Sequence, residues 1–260
     1  MHVLYPQNPL DASQADEPYH AEFQAVAAAG IDCSLFDFDA LEFGQFQPKP
    51  TINRHAPILY RGWMMSPSRY RKLVESICQR GGEPVTNGTQ FVTCHHLPNW
   101  YEQCKAFTPE TRFFAYDDQL EANVAKLGWE QFFVKDFVKS NTADLGSIAN
   151  SPKEVSAIVE QLAFYRGDIE GGIAIRRVEP FRRETEQRLF VVNGVPLSVD
   201  GDPPDLADVV AARIDAPFFS MDIVENEDGE IRVVELGDGQ VSDKKSWPIE
   251  AFVEVIAALA

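Results

Sequence analysis

Two carboxylates, Asp222 and Glu235, lie within apolar runs near the C-terminal end of the sequence, in the stretch DIVENEDGEIRVVELGDG. Between the runs stands Asp228-Gly229, a dipeptide typical of a two-residue type I′ hairpin turn. Residues that face each other across such a hairpin have numbers that sum to 457, as 228 and 229 do, so Asp222 faces Glu235. Side chains alternate along a strand, and the two carboxylates therefore share one face of the predicted hairpin.

A carboxylate pair on a strand is unfavourable unless something compensates for it. Like charges that face each other destabilise the ladder, and burial adds a desolvation cost that raises the pKa of a carboxyl group. A divalent ion would remove both costs, and Mg²⁺ is commonly held by one or two carboxylates together with substrate phosphates. The alternative is an edge hairpin whose acidic side chains face water. The hairpin alone leaves both interpretations open.

Length and charge bound the class of protein. The chain has 260 residues, is 45% hydrophobic and carries a formal net charge of −17, which fits two or three lobes with a sizeable core. The acidic balance argues against nucleic acid as a partner, because phosphate backbones bind basic surfaces. No run reaches the roughly 20 apolar residues of a membrane span, and MHVLYPQNP lacks the pattern of a signal peptide. We therefore expect a cytoplasmic protein with neither a nucleic-acid nor a membrane partner.

The cysteines and histidines give a weaker signal. The stretch TCHHLPNWYEQC contains Cys94, His95, His96 and Cys104, which are residue types that ligate zinc. Their spacing matches no common zinc finger or zinc ribbon, and disulfides are rare in cytosolic proteins. We therefore interpret these residues as packing and loop residues.

The first third of the chain alternates strand-like and helix-like segments, as a small α/β lobe does. Strands are predicted in MHVLYP and DCSLFDFD, and a helix in AEFQAVAAAG between them. The segment PSRYRKLVESICQRGG predicts a helix with Pro67 in its first turn. The C-terminal PIEAFVEVIAALA predicts a final helix.

Two cationic side chains fall within predicted buried strands. In the strand predicted from Phe132 to Val138, Lys135 shares a face with two phenylalanines and requires an anion there. Arg188 lies in a strand that turns at Asn193-Gly194, where facing residues sum to 387, so that Arg188 opposes Val199 and also requires an anion.

A loop and a helix separate these two strands. The loop Ser140 to Ser147 is rich in small polar residues that could fold over a phosphate. The helix that follows has Ser151 as its predicted cap and Pro152 in its first position. The sequence has no GxxxxGK[ST] phosphate loop, GxSxG elbow or HExxH helix.

In order and spacing, the segments FVKDFVKS, RRVEPFRRETEQRLFVVNG and MDIVENEDGEIRVVELGDGQVSD resemble the ATP-grasp superfamily, and most of all its clade marked by two conserved arginines and a lysine. The resemblance covers about Tyr116 to Ala260. It implies a fold of α/β and α+β class, in which two α+β subdomains enclose ATP and a small α/β lobe precedes them. The implied boundaries are 1–115 for that lobe and 116–260 for the ATP-grasp domain, with subdomains at about 116–178 and 179–260.

The resemblance also implies which residues contact ATP. Lys135 is expected at the α and β phosphates, and Lys139 is expected to reach phosphate unless it is simply solvated. The backbone of RRVEP corresponds to the hinge that pairs with adenine, which makes Glu179 a candidate for the adenine amino group or the ribose. Arg188 is expected to face the transferred phosphate and the acyl group, with Arg176 or Arg177 as the other marked arginine. The expected nucleotide contacts are Lys135, Lys139, Ser147, Arg176, Val178, Glu179 and Arg188, of which Lys135 and Arg188 are also the catalytic residues.

The metal ligands follow from the same resemblance. Asp222 and Glu235 match the metal-binding acids of the superfamily, for which two Mg²⁺ ions are expected, with Mn²⁺ as an alternative. Two residues after the glutamate the superfamily usually has Asn as a further ligand, and here that position is Gly237. Asp238 or Gln240 is the candidate substitute, so the assigned metal ligands are Asp222, Glu235 and Asp238.

The implied activity is that of an ATP- and Mg²⁺-dependent carboxylate-amine ligase. The substrates would be a small-molecule or peptide carboxylate and an amine, joined through an acyl phosphate. A small-molecule kinase of the same fold and a non-catalytic nucleotide-binding module are the alternatives. A purely structural interpretation pairs the cations Lys135 and Arg188 with the acids Asp222 and Glu235.

Overall fold

The computed structural model describes residues 1–138, 146–166 and 169–260. Lys139 and most of the predicted loop Ser140 to Ser147 lie outside these residues. The strands are β1 (His2–Pro6), β2 (Asp32–Phe36), β3 (Pro57–Tyr60), β4 (Glu83–Pro84), β5 (Thr111–Phe114), β6 (Phe132–Asp136), β7 (Ile148–Ala149), β8 (Ile173–Arg177), β9 (Phe181–Val192), β10 (Val195–Leu197), β11 (Phe218–Asn226) and β12 (Ile231–Asp238).

The helices agree with the predicted ones where both exist. They are α1 (Glu17–Ala28), α2 (Pro67–Gln79), α3 (Gly88–His95), α4 (Leu97–Cys104), α5 (Leu120–Ala125), α6 (Pro152–Arg166), α7 (Asp205–Ala211) and α8 (Ile249–Ala257), with a 3₁₀ helix at Ala40–Phe43. Over the described ranges, no helix combines the length and the apolarity needed to cross a bilayer.

The chain divides into two units of mutually contacting segments. Unit 1 comprises Met1–Cys94, Arg188–Met221 and Gly237–Ala260, and unit 2 comprises His95–Gln187 and Asp222–Leu236. The predicted domain boundaries refer to consecutive stretches of sequence, whereas each unit is assembled from several stretches, so those boundaries stay a prediction.

Unit 1 contains a parallel sheet with the strand order β2-β1-β3-β4. Parallel strands need crossover connections, and α1 and α2 supply two of them. β1 is buried on both faces, because Val3 and Tyr5 pack in a cluster with α8 while Leu4 packs in another with α2. The strands and helices predicted for this lobe are confirmed.

Unit 2 contains an antiparallel sheet with the order β5-β8-β6-β7. One face is covered by α5 and α6, whose apolar side chains form a cluster with Phe132 and Val134 of β6. In the register of β6 with β8, Phe133 pairs with Arg176 and Lys135 pairs with Ala174. Paired residues share a face and side chains alternate along a strand, so Phe133, Lys135 and Arg176 all lie on the face opposite the helices.

The start of α6 shows why the chain enters that helix where it does. The Ser151 hydroxyl accepts a hydrogen bond from the Glu154 backbone N–H at 3.3 Å, and Pro152 occupies the first helical position. Both features of the predicted cap are confirmed.

A third sheet has the order β10-β9-β11-β12. Between β9 and β10, Asn193 and Gly194 have φ values of 50° and 82°, and Val192 pairs with Val195. The predicted type I′ turn and its register are therefore confirmed. β10 ends at Leu197, so the expected opposition of Arg188 and Val199 lies beyond the paired residues.

The turn between β11 and β12 differs from the prediction. A type I′ turn needs positive φ at both central residues, but only Gly229, at 83°, has it, and Asp228 does not. The Gly229 N–H donates to the Asn226 carbonyl at 3.0 Å, which places the turn one residue earlier. The cause is the Asn226 side chain, whose oxygen accepts from the backbone N–H groups of Asp228 at 3.1 Å and Glu230 at 2.8 Å.

The strands themselves are adjacent, as predicted. The pairing of Asp222 with Glu235, however, no longer follows from the turn and stays a prediction.

Candidate functional site

Lys135 is a buried cation with a carboxylate partner. Its side chain is 5% exposed, and Nζ lies 2.5 Å from Oε1 of Glu235, whose side chain is 38% exposed. The expectation that a lysine in this strand requires an anion is confirmed, and β12 supplies the anion. This contact is also one of the pairs that the purely structural interpretation expects.

Arg176 is a second buried cation on the same face of the sheet. Its Nη1 donates to the Val234 carbonyl at 2.5 Å, and its Nη2 lies 3.5 Å from the Thr108 hydroxyl. Among the described residues, its Nε has no hydrogen-bond partner. Burial lowers the pKa of the Arg176 guanidinium to about 10, and the nearby Glu235 carboxylate works against this change. The guanidinium thus retains capacity for an anionic ligand.

A pocket of about 460 Å³ lies in unit 2 beside Arg176. Its size is within the usual range for small-molecule sites. Three of the expected nucleotide contacts, Arg176, Val178 and Glu179, line it together. The complete lining is Pro109, Phe133, Ile148, Arg176, Arg177, Val178, Glu179, Pro180, Phe181, Arg183, Glu186, Val224 and Val234.

Glu179 is fixed by an arginine that the sequence analysis missed. Arg232 donates from Nε to Oε2 of Glu179 at 2.9 Å and from Nη2 to Oε1 at 3.0 Å. The same guanidinium also donates to the carbonyls of Ala106 and Thr108, at 3.1 Å and 3.0 Å. A ligand contact to the Glu179 carboxylate would therefore compete with a bidentate ion pair. The available signal was an arginine inside an otherwise apolar strand, Ile231–Asp238.

The two principal metal candidates, Asp222 and Glu235, both lie in unit 2. Asp222 is 4% exposed on β11, and Glu235 on β12 is the more accessible of the two. Carboxylate oxygens are the donors that Mg²⁺ prefers, so the chemistry of this pair fits such an ion.

Asp238, the third assigned metal ligand, lies in unit 1 and is fully buried. Its Oδ1 accepts hydrogen bonds from the backbone and side-chain N–H groups of Gln240, at 3.0 Å and 3.1 Å. Burial raises the pKa of Asp238 to about 7, although the Gln240 hydrogen bonds act in the opposite direction. The metal role of Asp238 gains no support from these contacts and stays a prediction.

Arg188 also lies in unit 1. Its Nη1 donates to the Asp243 carbonyl at 2.9 Å and lies 3.4 Å from the Asp243 carboxylate, while its own carbonyl accepts from the Trp247 indole at 2.8 Å. Its expected partner was a phosphate or one of the two acids. The anion found instead is a loop aspartate, and its role toward phosphate stays a prediction.

The remaining expected contacts lie around the loop after β6. The Ser147 carbonyl accepts from the Val134 N–H at 2.7 Å, which attaches the end of the loop to the sheet. Lys139 lies outside the described residues, so its role also stays a prediction.

Gly237 stands where the superfamily usually has Asn, and its surroundings explain the glycine. A Cβ atom at this position would lie 2.9 Å from the hydroxyls of both Ser220 and Ser242. These hydroxyls are 2.7 Å apart and hydrogen-bond each other. The space that an asparagine side chain would need is therefore filled by two serines.

We expect Gly237→Asn to destabilise the protein by about 1–3 kcal/mol, the usual cost of overpacking a filled site. Urea unfolding would measure the loss. Adding Ser220→Ala and Ser242→Ala, which removes both contacting hydroxyls, should recover much of it. An unchanged unfolding midpoint in Gly237→Asn would contradict this account.

Comparison with protein families identifies the fold. A family model described as an ATP-grasp domain, the third family of its clade, matches residues 126–256, about half of the chain. The chain belongs to this family. The predicted ATP-grasp fold, with mixed α/β content and several sheets, is thereby confirmed.

Solved ATP-grasp structures resemble the whole chain. The RimK domain protein ATP-grasp of Sphaerobacter thermophilus DSM 20745 is 18% identical with a TM-score of 0.67, covering 99% of this chain and 97% of that one. The macrocyclase MdnC of Microcystis aeruginosa MRC, solved with the precursor peptide MdnA, is 13% identical with a TM-score of 0.62 and 99% coverage of both chains. The ATP-grasp ligase PsnB, solved with a precursor variant, Mg and ADP, is 12% identical with a TM-score of 0.59, covering 99% of this chain and 97% of that one. A comparison with curated proteins gives no match.

Proposed function

We propose that this ATP-grasp protein is an ATP- and Mg²⁺-dependent carboxylate-amine ligase. The γ-phosphoryl group of ATP would pass to a substrate carboxylate, giving an acyl phosphate and ADP. An amine would then attack the acyl carbon, phosphate would leave, and the amine nitrogen would lose a proton as the amide forms. Such chemistry depends mainly on positioning and on stabilising charge, so it needs few side-chain nucleophiles.

The observation that carries this proposal is the pair of buried cations, Lys135 and Arg176, on one face of the unit 2 sheet. Arg176 lines the pocket of about 460 Å³, whose apolar lining residues include Phe133 and Val224. Apolar walls suit a nucleotide base, and buried cations suit its phosphates. The hinge residues Val178 and Glu179 also line the pocket, in agreement with a base bound beside them.

We assign Lys135, Arg176 and Arg188 as the lysine and the two arginines that mark the clade. Asp222 and Glu235 would hold Mg²⁺, which neutralises phosphate charge when bound. Lys135 bonds Glu235 in the ligand-free protein. Binding a phosphate at Lys135 and a cation at Glu235 would therefore replace one ion pair with two.

The solved neighbours support the substrate class. MdnC and PsnB are described with precursor peptides, and another neighbour is described as D-cycloserine synthetase. We therefore propose a peptide or small-molecule carboxylate and an amine as the substrates of this chain.

The decisive experiment is thermal unfolding with ATP, with and without Mg²⁺. A ligand at about 100 times its Kd stabilises a protein by about 2.7 kcal/mol, which raises the Tm by several degrees for a chain of this size. We expect a Mg²⁺-dependent shift in the wild type and its loss in Asp222→Asn. Asp228→Asn, an exposed residue in the turn of the same hairpin, is the matched control and should keep the shift.

The absence of a shift in wild type would overturn the nucleotide site. Where the shift is present, mass spectrometry of products separates the reactions: an amide with ADP and phosphate supports ligation, and a stable phosphoester would instead show a kinase.

A further inference from the structure

A second cluster of charged and metal-ligating side chains lies in unit 2, away from the pocket lining. It consists of His95, His96 and Glu170, whose ligand atoms all lie within 4.8 Å of one another. Oε1 of Glu170 is 3.0 Å from Nε2 of His96 and 3.5 Å from Nε2 of His95. One carboxylate oxygen thus lies close to two imidazole nitrogens.

The backbone brings these residues together. His95 ends α3 and His96 precedes α4, and their rings stack with centroids 5.4 Å apart. Glu170 precedes β8, and its carbonyl accepts from the Phe137 N–H at 3.4 Å. The Phe137 carbonyl in turn accepts from the Leu97 N–H at 2.9 Å, beside His96. The start of α4 and the segment before β8 are therefore both attached to the end of β6.

The cluster has the charge that a cation needs. Partial burial would raise the pKa of Glu170, but hydrogen bonds from His95 and His96 outweigh it and lower this pKa to about 2. Glu170 is consequently a carboxylate throughout the physiological range. The Glu170 side chain is 26% exposed and that of His96 is 17% exposed, whereas that of His95 is 2% exposed, so an ion can enter from one side.

We propose that His95, His96 and Glu170 form a binding site for a divalent transition-metal ion of the Zn²⁺ type. Bonds of about 2.0–2.1 Å in tetrahedral geometry place ligand atoms about 3.3–3.4 Å apart. The two nitrogen-to-oxygen distances, 3.0 Å and 3.5 Å, bracket that separation. Small rotations of the side chains would admit the ion without moving the backbone.

The donor types set the choice of metal. Two imidazole nitrogens and one carboxylate suit Zn²⁺ and its transition-metal neighbours, whereas Mg²⁺ prefers oxygen donors. Three protein ligands leave a fourth position for water or another ligand. This site is independent of the proposed nucleotide site, which uses other residues and another metal.

Zinc binding to chelator-treated full-length protein tests the proposal, by competition with a chromogenic zinc indicator in excess Mg²⁺. We expect one Zn²⁺ per chain. Changes outside the ligand set commonly cost 10- to 100-fold in metal affinity, so loss of a ligand in His96→Ala or Glu170→Gln should weaken binding at least about 100-fold. His55→Asn is the control, because His55 is exposed and has a positive φ of 61°, which asparagine tolerates.

The unfolding midpoint of each metal-free variant shows whether it is folded, and Zn²⁺ should raise the midpoint of wild type and His55→Asn alone. Failure of the wild type to bind zinc would overturn the proposal. Equal binding by folded His96→Ala and Glu170→Gln would also overturn it, because the zinc would then be held elsewhere, for example by exposed Cys78.

Discussion

The Glu235→Gln variant should turn over ATP at least about 100-fold more slowly than wild type, the usual cost of removing one group that stabilises charge in phosphoryl transfer. The amide preserves the shape of the side chain but removes the negative charge that both the proposed Mg²⁺ and Lys135 need. ADP release with carboxylate and amine substrates found by screening would measure the effect.

The same variant makes a second prediction that a purely structural role does not. Without the carboxylate, the Lys135 ammonium is left beside a neutral amide and is more available to phosphate. ATP binding in the absence of Mg²⁺ should therefore be retained or strengthened while turnover falls. Glu225→Gln is the matched control, because Glu225 belongs to the same hairpin and pairs with Arg182 at 2.5 Å instead. Near-full activity in Glu235→Gln would show that the metal assignment is wrong.

The second large effect concerns Asp238, whose pKa burial raises to about 7 from an ordinary value of 3.8. Between these two pH values the folded state keeps a proton that the unfolded state has lost. The contribution of this group is therefore full below pH 3.8 and is lost as pH rises through 7. Each pH unit in this window costs about 1.4 kcal/mol, on the order of 4 kcal/mol in all.

Replacing Asp238 with Asn removes this titration. Relative to the variant, wild type should lose several kcal/mol of unfolding free energy between pH 4.5 and pH 8, as measured by urea unfolding at each pH. The ordinary pKa near 4 and the raised value set this window. Asp202→Asn, at an exposed position of unit 1, should show no such difference from wild type. Parallel pH profiles for wild type and Asp238→Asn would rule out the raised pKa.

Much of the fold could be predicted because it depends on local pattern. Alternation placed Lys135 on a strand face, Pro67 and Ser151 marked helix starts, and Asn193-Gly194 gave its turn type. The turn at Gly229 could not be predicted in the same way. There the Asn226 side chain hydrogen-bonds its own turn and competes with the Asp228-Gly229 signal.

The site was predictable in its residue types but not in its partners. A buried lysine demands an anion, yet the sequence does not show that Glu235, 100 residues later, supplies it. The same holds for Glu179 and Arg232, 53 residues apart, and for His96 and Glu170, 74 residues apart. Such pairs arise from tertiary contacts that spacing alone does not encode.

The contact between Lys135 and Glu235 gives the ligand-free protein an internal counterion. Under the proposed function, inorganic phosphate arriving alone would have to displace this carboxylate and leave it without its cation. A free divalent ion would leave the lysine without its anion. Only a ligand that brings both charges, such as the complex of ATP with Mg²⁺, satisfies both side chains together. The ion pair would thus act as a selectivity filter that disfavours each component alone.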